Sequence, residues 1–111
     1  MEKEINTDEG SMQIILHAGN AKSSAFEALK EVKLGHIDSY RKYYQTAKSE
    51  LVLAEKAHAV LLRDLANADR MKDVDLLLVH AEGHLSSTDI AVQLIGEIGE
   101  ILEWKGALEN A

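Results

Sequence analysis

From Ile37 to Ala68 the sequence keeps one pattern without a break. Ile37, Tyr40, Tyr44, Ala47, Leu51, Ala54, His58, Leu61, Leu65 and Ala68 follow one another in alternating steps of three and four. On an α-helix those steps stack along a single face, and a stripe sustained for about four heptads marks a long, coiled-coil-like helix. At about 1.5 Å per residue such a helix is on the order of 45 Å long. The whole chain has 111 residues, so this one element sets the class: a rod of that length buries its stripe against helices of similar length. The absence of proline and the abundance of Ala, Leu, Glu and Lys point the same way, since they favour uninterrupted helix. His58 is the one strongly polar member of the stripe, at a position where a polar residue can set register.

A first helix is expected over about 8–33. Its stripe of Ile14, Ala18, Ala21, Ala25, Ala28 and Val32 is mostly alanine, which lets a neighbour approach closely, and Ile15, Phe26 and Leu29 flank it. Asn6, Thr7 and Asp8 offer an N-cap, and Gly35 after Leu34 a stop. "LGHI" then turns the chain into the second helix, over about 38–67, and so short a turn implies antiparallel neighbours. "NADRMKD", 67–73, is the second break, with Asp69 or Asp73 as the next cap. A third helix follows over about 73–104, fraying from Gly106. The expected fold is all-α: one domain, 1–111, built as an antiparallel three-helix up-down bundle.

The third helix carries two stripes. One is Val74, Leu77, Ala81, His84, Thr88, Ala91, Ile95, Ile98 and Leu102; the other is Leu76, His80, Gly83, Ser87, Ile90, Leu94, Glu97 and Ile101. Leu78, Leu85 and Val92 widen the apolar surface further. A single neighbour covers one stripe, so the second asks for another burial surface. Self-association through this helix is the expectation.

Composition narrows the function. A formal charge of −7 argues against nucleic acid, which calls for a basic footprint. Apolar runs such as Leu76–Val79 are far too short for a bilayer. No cysteine is present, which removes disulfides, thiolate zinc sites and thiol nucleophiles. No basic leader with an apolar segment opens the sequence, so a cytoplasmic location is expected.

His80 and His84 in "LLLVHAEGHLSS" lie one turn apart and admit three chemistries. As i and i+4 they can grip one metal ion. The H-E-x-x-H arrangement, however, needs a glutamate directly after the first histidine, and Glu82 lies two residues on, about 200° around the helix. A third ligand would have to come from His17 or His58. Alternatively, histidines in a bundle simply hydrogen-bond at half-buried positions, which is the reading for His17, His36 and His58. Finally, a neutral imidazole can attack phosphorus, and the resulting phosphoramidate is a good phosphoryl donor. Ser86, Ser87 and Thr88 would then offer hydroxyls to the phosphoryl oxygens. No glycine-rich phosphate loop is present, which argues against ATP as donor.

The stretches "IILHAGNAKSSAFEAL" (14–29) and "LLLVHAEGHL" (76–85), with "EKAH" (55–58) between them, resemble the lactose/cellobiose-type IIA component of the bacterial phosphotransferase sugar-uptake system. The resemblance covers about 11–102. It implies a three-helix protomer, a homotrimer with the third helices near the axis, and a cytoplasmic phosphocarrier without a cofactor. The residue matching the phosphoryl acceptor is His80, through Nε2, with His84 and Ser87 as helpers beside it. The implied donor is the histidine-containing phosphocarrier protein. The implied acceptor is a cysteine of the IIB component, which serves a membrane permease for disaccharides. The family pattern V-H-A-Q-D-H becomes V-H-A-E-G-H here. Its aspartate is associated with a metal on the threefold axis; Gly83 offers no ligand, so no metal is expected. Glu82 is expected to point away from His80 and to alter partner contacts. A trimeric helical scaffold or adaptor without chemistry remains the alternative.

Overall fold

Local capping sets the element order. In the computed structural model, which describes residues 4–110, the Asn6 side chain accepts a hydrogen bond from the Glu9 amide at 2.9 Å and opens α1, Thr7–Lys33. Gly35, at φ +81°, ends that helix in the left-handed conformation glycine takes without steric cost. Helix α2 spans Ile37–Asn67, a short 3-10 turn covers Met71–Asp73, and α3 spans Leu76–Glu109.

The second break differs from expectation. The cap of α3 is Asp75, whose carboxylate accepts from the Leu78 amide at 2.9 Å, so the helix starts at Leu76 rather than near 73. Asp69 instead holds a positive φ of 56° beyond the end of α2, a place where a short polar side chain can substitute for glycine. Asp73 receives Arg70 Nε at 2.6 Å. At its far end α3 continues past Trp104, through Gly106, to Glu109, and the Asn110 amide closes on the Gly106 carbonyl at 3.1 Å. One glycine costs a helix only about 1 kcal/mol, too little to stop it there.

Cross-helix pairs give the topology. Gly10 lies against Leu61 and His17 against Glu50, so α1 and α2 are antiparallel. Tyr44 meets Val92 and His58 meets Glu82, so α2 and α3 are antiparallel too. The bundle is three-helix and up-down, drawn out to 64 × 22 × 17 Å. The α1 stripe is buried at every expected position, and in α2 Tyr40, Ala47, Leu51, Ala54, Leu61 and Leu65 are buried. Among the described residues no helix is long and apolar enough to cross a membrane.

Helix α3 is turned relative to expectation. Its inner stripe is Leu78, Ala81, Leu85, Thr88, Val92, Ile95 and Gly99. Ala81, Thr88 and Ile95 are shared with the expected first stripe, but Leu78, Leu85, Val92 and Gly99 replace Leu77, His84, Ala91 and Ile98. Two glycines account for the rotation. A Cβ added at Gly99 would fall against the hydroxyl and ring of Tyr40, and one at Gly96 against the hydroxyl of Tyr44. The two rings stack with centroids 5.7 Å apart, and Tyr44 donates to the Val92 carbonyl at 3.0 Å. Burial, with nearby carboxylates, raises both phenol pKa values above the usual 10.0. Gly99→Ala should therefore lower stability by about 1–3 kcal/mol, even though alanine contributes about 1 kcal/mol of better helix propensity. Urea unfolding measures this, and adding Tyr40→Phe should restore part of the loss by removing the clashing oxygen.

Candidate functional site

Burying Leu78, Ala81 and Leu85 turns the intervening side chains outward. His80, Gly83, His84 and Ser87 are all exposed and line one shallow depression, with Leu76, Leu77 and His80 lining the next. The i,i+4 spacing brings the two rings edge to face, centroids 4.6 Å apart, with Nε2 of His84 3.1 Å from Nε2 of His80. One of these nitrogens donates to the other. When the proton of His80 sits on Nδ1, its Nε2 carries an outward lone pair and His84 Nε2–H is the donor.

The hydroxyls near this turn are more restricted than their spacing suggests. Ser87 Oγ lies on the same face as His80 but donates to the His84 carbonyl at 3.2 Å, steadying the turn. Thr88, expected to offer a hydroxyl to phosphoryl oxygens, is buried in the inner stripe and is withdrawn from that role. Ser86 is exposed.

Each of the other three histidines has a carboxylate. His17 Nδ1 meets Glu50 Oε2 at 2.6 Å, His36 Nδ1 meets Glu31 Oε2 at 2.6 Å, and His58 Nε2 meets Glu82 Oε2 at 2.7 Å. His17 and His58, the candidates for a third metal ligand, are thus engaged on other faces. The metal that the family resemblance associates with an axial aspartate does not fit this chain. Gly83 supplies no donor atom at the position of that aspartate.

Sequence reasoning missed the partner of Glu82. Its carboxylate does point away from His80, but it crosses to α2 and is half-buried against His58, leaving the outer surface instead of charging it. Only the register between α2 and α3 reveals that pair. The outer face of α3 remains strongly apolar: Leu76 is 83% exposed, Ile90 61%, Leu94 58%, Ile101 59% and Trp104 65%. These residues extend the second stripe, as expected, along nearly the full helix.

A three-helix bundle with a histidine pair on an exposed turn of its third helix defines a class. Residues 9–103 match the family model described as "PTS system, Lactose/Cellobiose specific IIA subunit". The chain belongs to that family of phosphotransferase-system sugar-transport components. It is 37% identical over 99 residues to the lichenan-specific phosphotransferase enzyme IIA component of Bacillus subtilis (strain 168), covering 86% of this chain and 89% of that protein. Identity to the N,N'-diacetylchitobiose-specific EIIA component of Escherichia coli (strain K12) is 33% over 96 residues, covering 86% and 82%. Among solved structures, the cellobiose-specific enzyme IIA of Bacillus anthracis superposes with a TM-score of 0.83 at 26% identity, over 94% of this chain and 95% of that one.

Proposed function

We propose that the chain is a cytoplasmic phosphocarrier that accepts a phosphoryl group on His80 Nε2 and passes it on. The observation that carries this is the placement of an exposed imidazole nitrogen, 3.1 Å from a second one, at the matching histidine of the family segment. The donor is the histidine-containing phosphocarrier protein. As its N–P bond breaks, the bond from His80 Nε2 to phosphorus forms, and the donor imidazole leaves with the electron pair. No proton has to leave His80, because Nδ1 keeps its own.

The hydrogen bond from His84 must be released for attack, and the freed Nε2–H can then turn to a phosphoryl oxygen. Charge stabilisation of that kind and positioning supply most of the catalysis in phosphoryl transfer. In the second half-reaction a cysteine thiolate of the IIB component attacks phosphorus. The S–P bond forms, the N–P bond breaks, and the lone pair returns to His80. The sugar, a disaccharide of the lactose, cellobiose or chitobiose type, is handled downstream by IIB and the membrane permease.

The working assembly is a homotrimer, with the apolar outer stripe of α3 near the axis. Exposed stripes of this length are unusual on monomers. Incubation with phosphoenolpyruvate and the general phosphotransferase proteins, followed by intact mass, tests the carrier reading. The expected result is one phosphate per chain. A chain whose mass stays unchanged while the donor protein is fully phosphorylated would be a scaffold, and the proposal would fall.

A further inference from the structure

Glu82 stands beside Gly83 in the turn that presents His80, yet it is anchored elsewhere. Its Oε2 lies 2.7 Å from His58 Nε2 on α2, and both side chains are half-buried. With the His58 proton on Nε2 this is a hydrogen bond to a charged acceptor, stronger than a neutral one. Glu82 and His80 are about 200° apart around α3, so tether and acceptor sit on opposite sides of one axle. Any rotation of α3 that swings the His80 ring also draws Glu82 away from His58.

This turn is where such restraint has most to do. Gly83 brings no side chain, and a Cβ built there would meet nothing within 4 Å. The apolar hold on the turn comes from Ala81 and Leu85 beneath it. Farther along, Tyr44 to Val92 and Arg41 to Glu103 tie α2 to α3. His58 to Glu82 supplies the tie at the acceptor turn itself.

We propose that Glu82 is a positioning residue for phosphoryl transfer: its hydrogen bond to His58 fixes the rotation of α3 and so aims His80 at the incoming phosphorus. The inference rests on His80 being the acceptor. Transfer needs reacting atoms about 3–3.5 Å apart and aligned, and a misplacement of about 1 Å can cost about a hundredfold. Losing a tether loosens the aim without displacing it, so a fall of about tenfold in the maximal transfer rate is expected.

Single-turnover phosphorylation by the phosphorylated donor protein, over a range of donor concentrations, tests this with Glu82→Ala, Glu82→Gln, His58→Ala and the double alanine variant. Glutamine keeps an acceptor oxygen for His58 Nε2–H while removing the charge. The two single alanine variants should each lose about tenfold in maximal rate, with the half-saturating donor concentration unchanged. The double variant should be no slower than either, as expected of two ends of one interaction. Glu82→Gln should stay within about twofold of the parent. His58→Phe keeps the ring volume without the N–H, and carries the test if an alanine variant unfolds in thermal melts.

A phosphorylated parent with an equally fast Glu82→Ala overturns this inference alone, as does an additive double variant. Glu82→Gln as slow as Glu82→Ala, with a half-saturation shift that grows at low salt, overturns it too and makes Glu82 a charge in the donor contact. A parent that takes no phosphate overturns the acceptor reading, and this inference with it.

Discussion

His80→Ala should abolish phosphate incorporation, a loss of at least about a thousandfold, because it removes the nitrogen that forms the N–P bond in the proposed transfer. Gly83 has no side chain and Ser87 Oγ donates to the His84 carbonyl, so the imidazole of His84, 3.1 Å from that of His80, is the nearest other nitrogen. The variant should fold normally. His80 is exposed on the outer face of α3, and alanine is the better helix former, so stability should change by less than about 0.5 kcal/mol. His84→Ala makes the informative contrast. It removes a hydrogen-bond donor and leaves the nucleophile, so transfer should slow by roughly 10–100-fold without stopping. Intact mass and phosphohistidine detection after incubation with the phosphorylated donor measure both. Full incorporation in His80→Ala would move the acceptor elsewhere, and His84 would be next in line because it is exposed with its Nε2 3.1 Å from that of His80.

Helices α1 and α2 are legible in the sequence because each carries one unbroken apolar stripe. Alternating steps of three and four then single it out: Ile14 to Val32 are buried at every position, and Tyr40, Ala47, Leu51, Ala54, Leu61 and Leu65 are buried with Tyr44 and His58 half-buried among them. Helix α3 is apolar around most of its circumference, so the same steps fit several stripes. The stripe actually chosen depends on Gly96 and Gly99, which add nothing to hydrophobic periodicity. What they offer is space for the Tyr40 and Tyr44 rings on another helix. Asp75 does not stand out as the cap in the sequence, because Asp69 and Asp73 precede it within six residues. The histidine pair was legible, since i,i+4 neighbours share a face whatever the tertiary fold. Its tether was not, because His58 and Glu82 meet only once the register of α2 on α3 is fixed.

Leu94→Glu should convert the assembly to monomers. Leu76, Ile90, Leu94 and Ile101 are each more than half exposed on the protomer. Burying each is worth about 1.5–3 kcal/mol. Together these four give each protomer about as much as association costs, which is about 4–15 kcal/mol, so the loss of one is not absorbed. A glutamate there also brings three carboxylates together near the axis, where like charges repel and the charged form is disfavoured. In the proposed trimer Glu97, on the same stripe, would add to that repulsion, and Gly83 supplies no group to offset it. Val52→Glu places the same charge on an exposed position of α2 and should leave the assembly intact. Sedimentation velocity separates the cases. The parent and Val52→Glu should run as trimers and Leu94→Glu as a helical monomer, still able to accept phosphate but more slowly where a neighbouring protomer completes the docking surface. A parent that sediments as a monomer, or a Leu94→Glu trimer as tight as the parent, would show that the outer stripe of α3 is covered by something other than copies of itself.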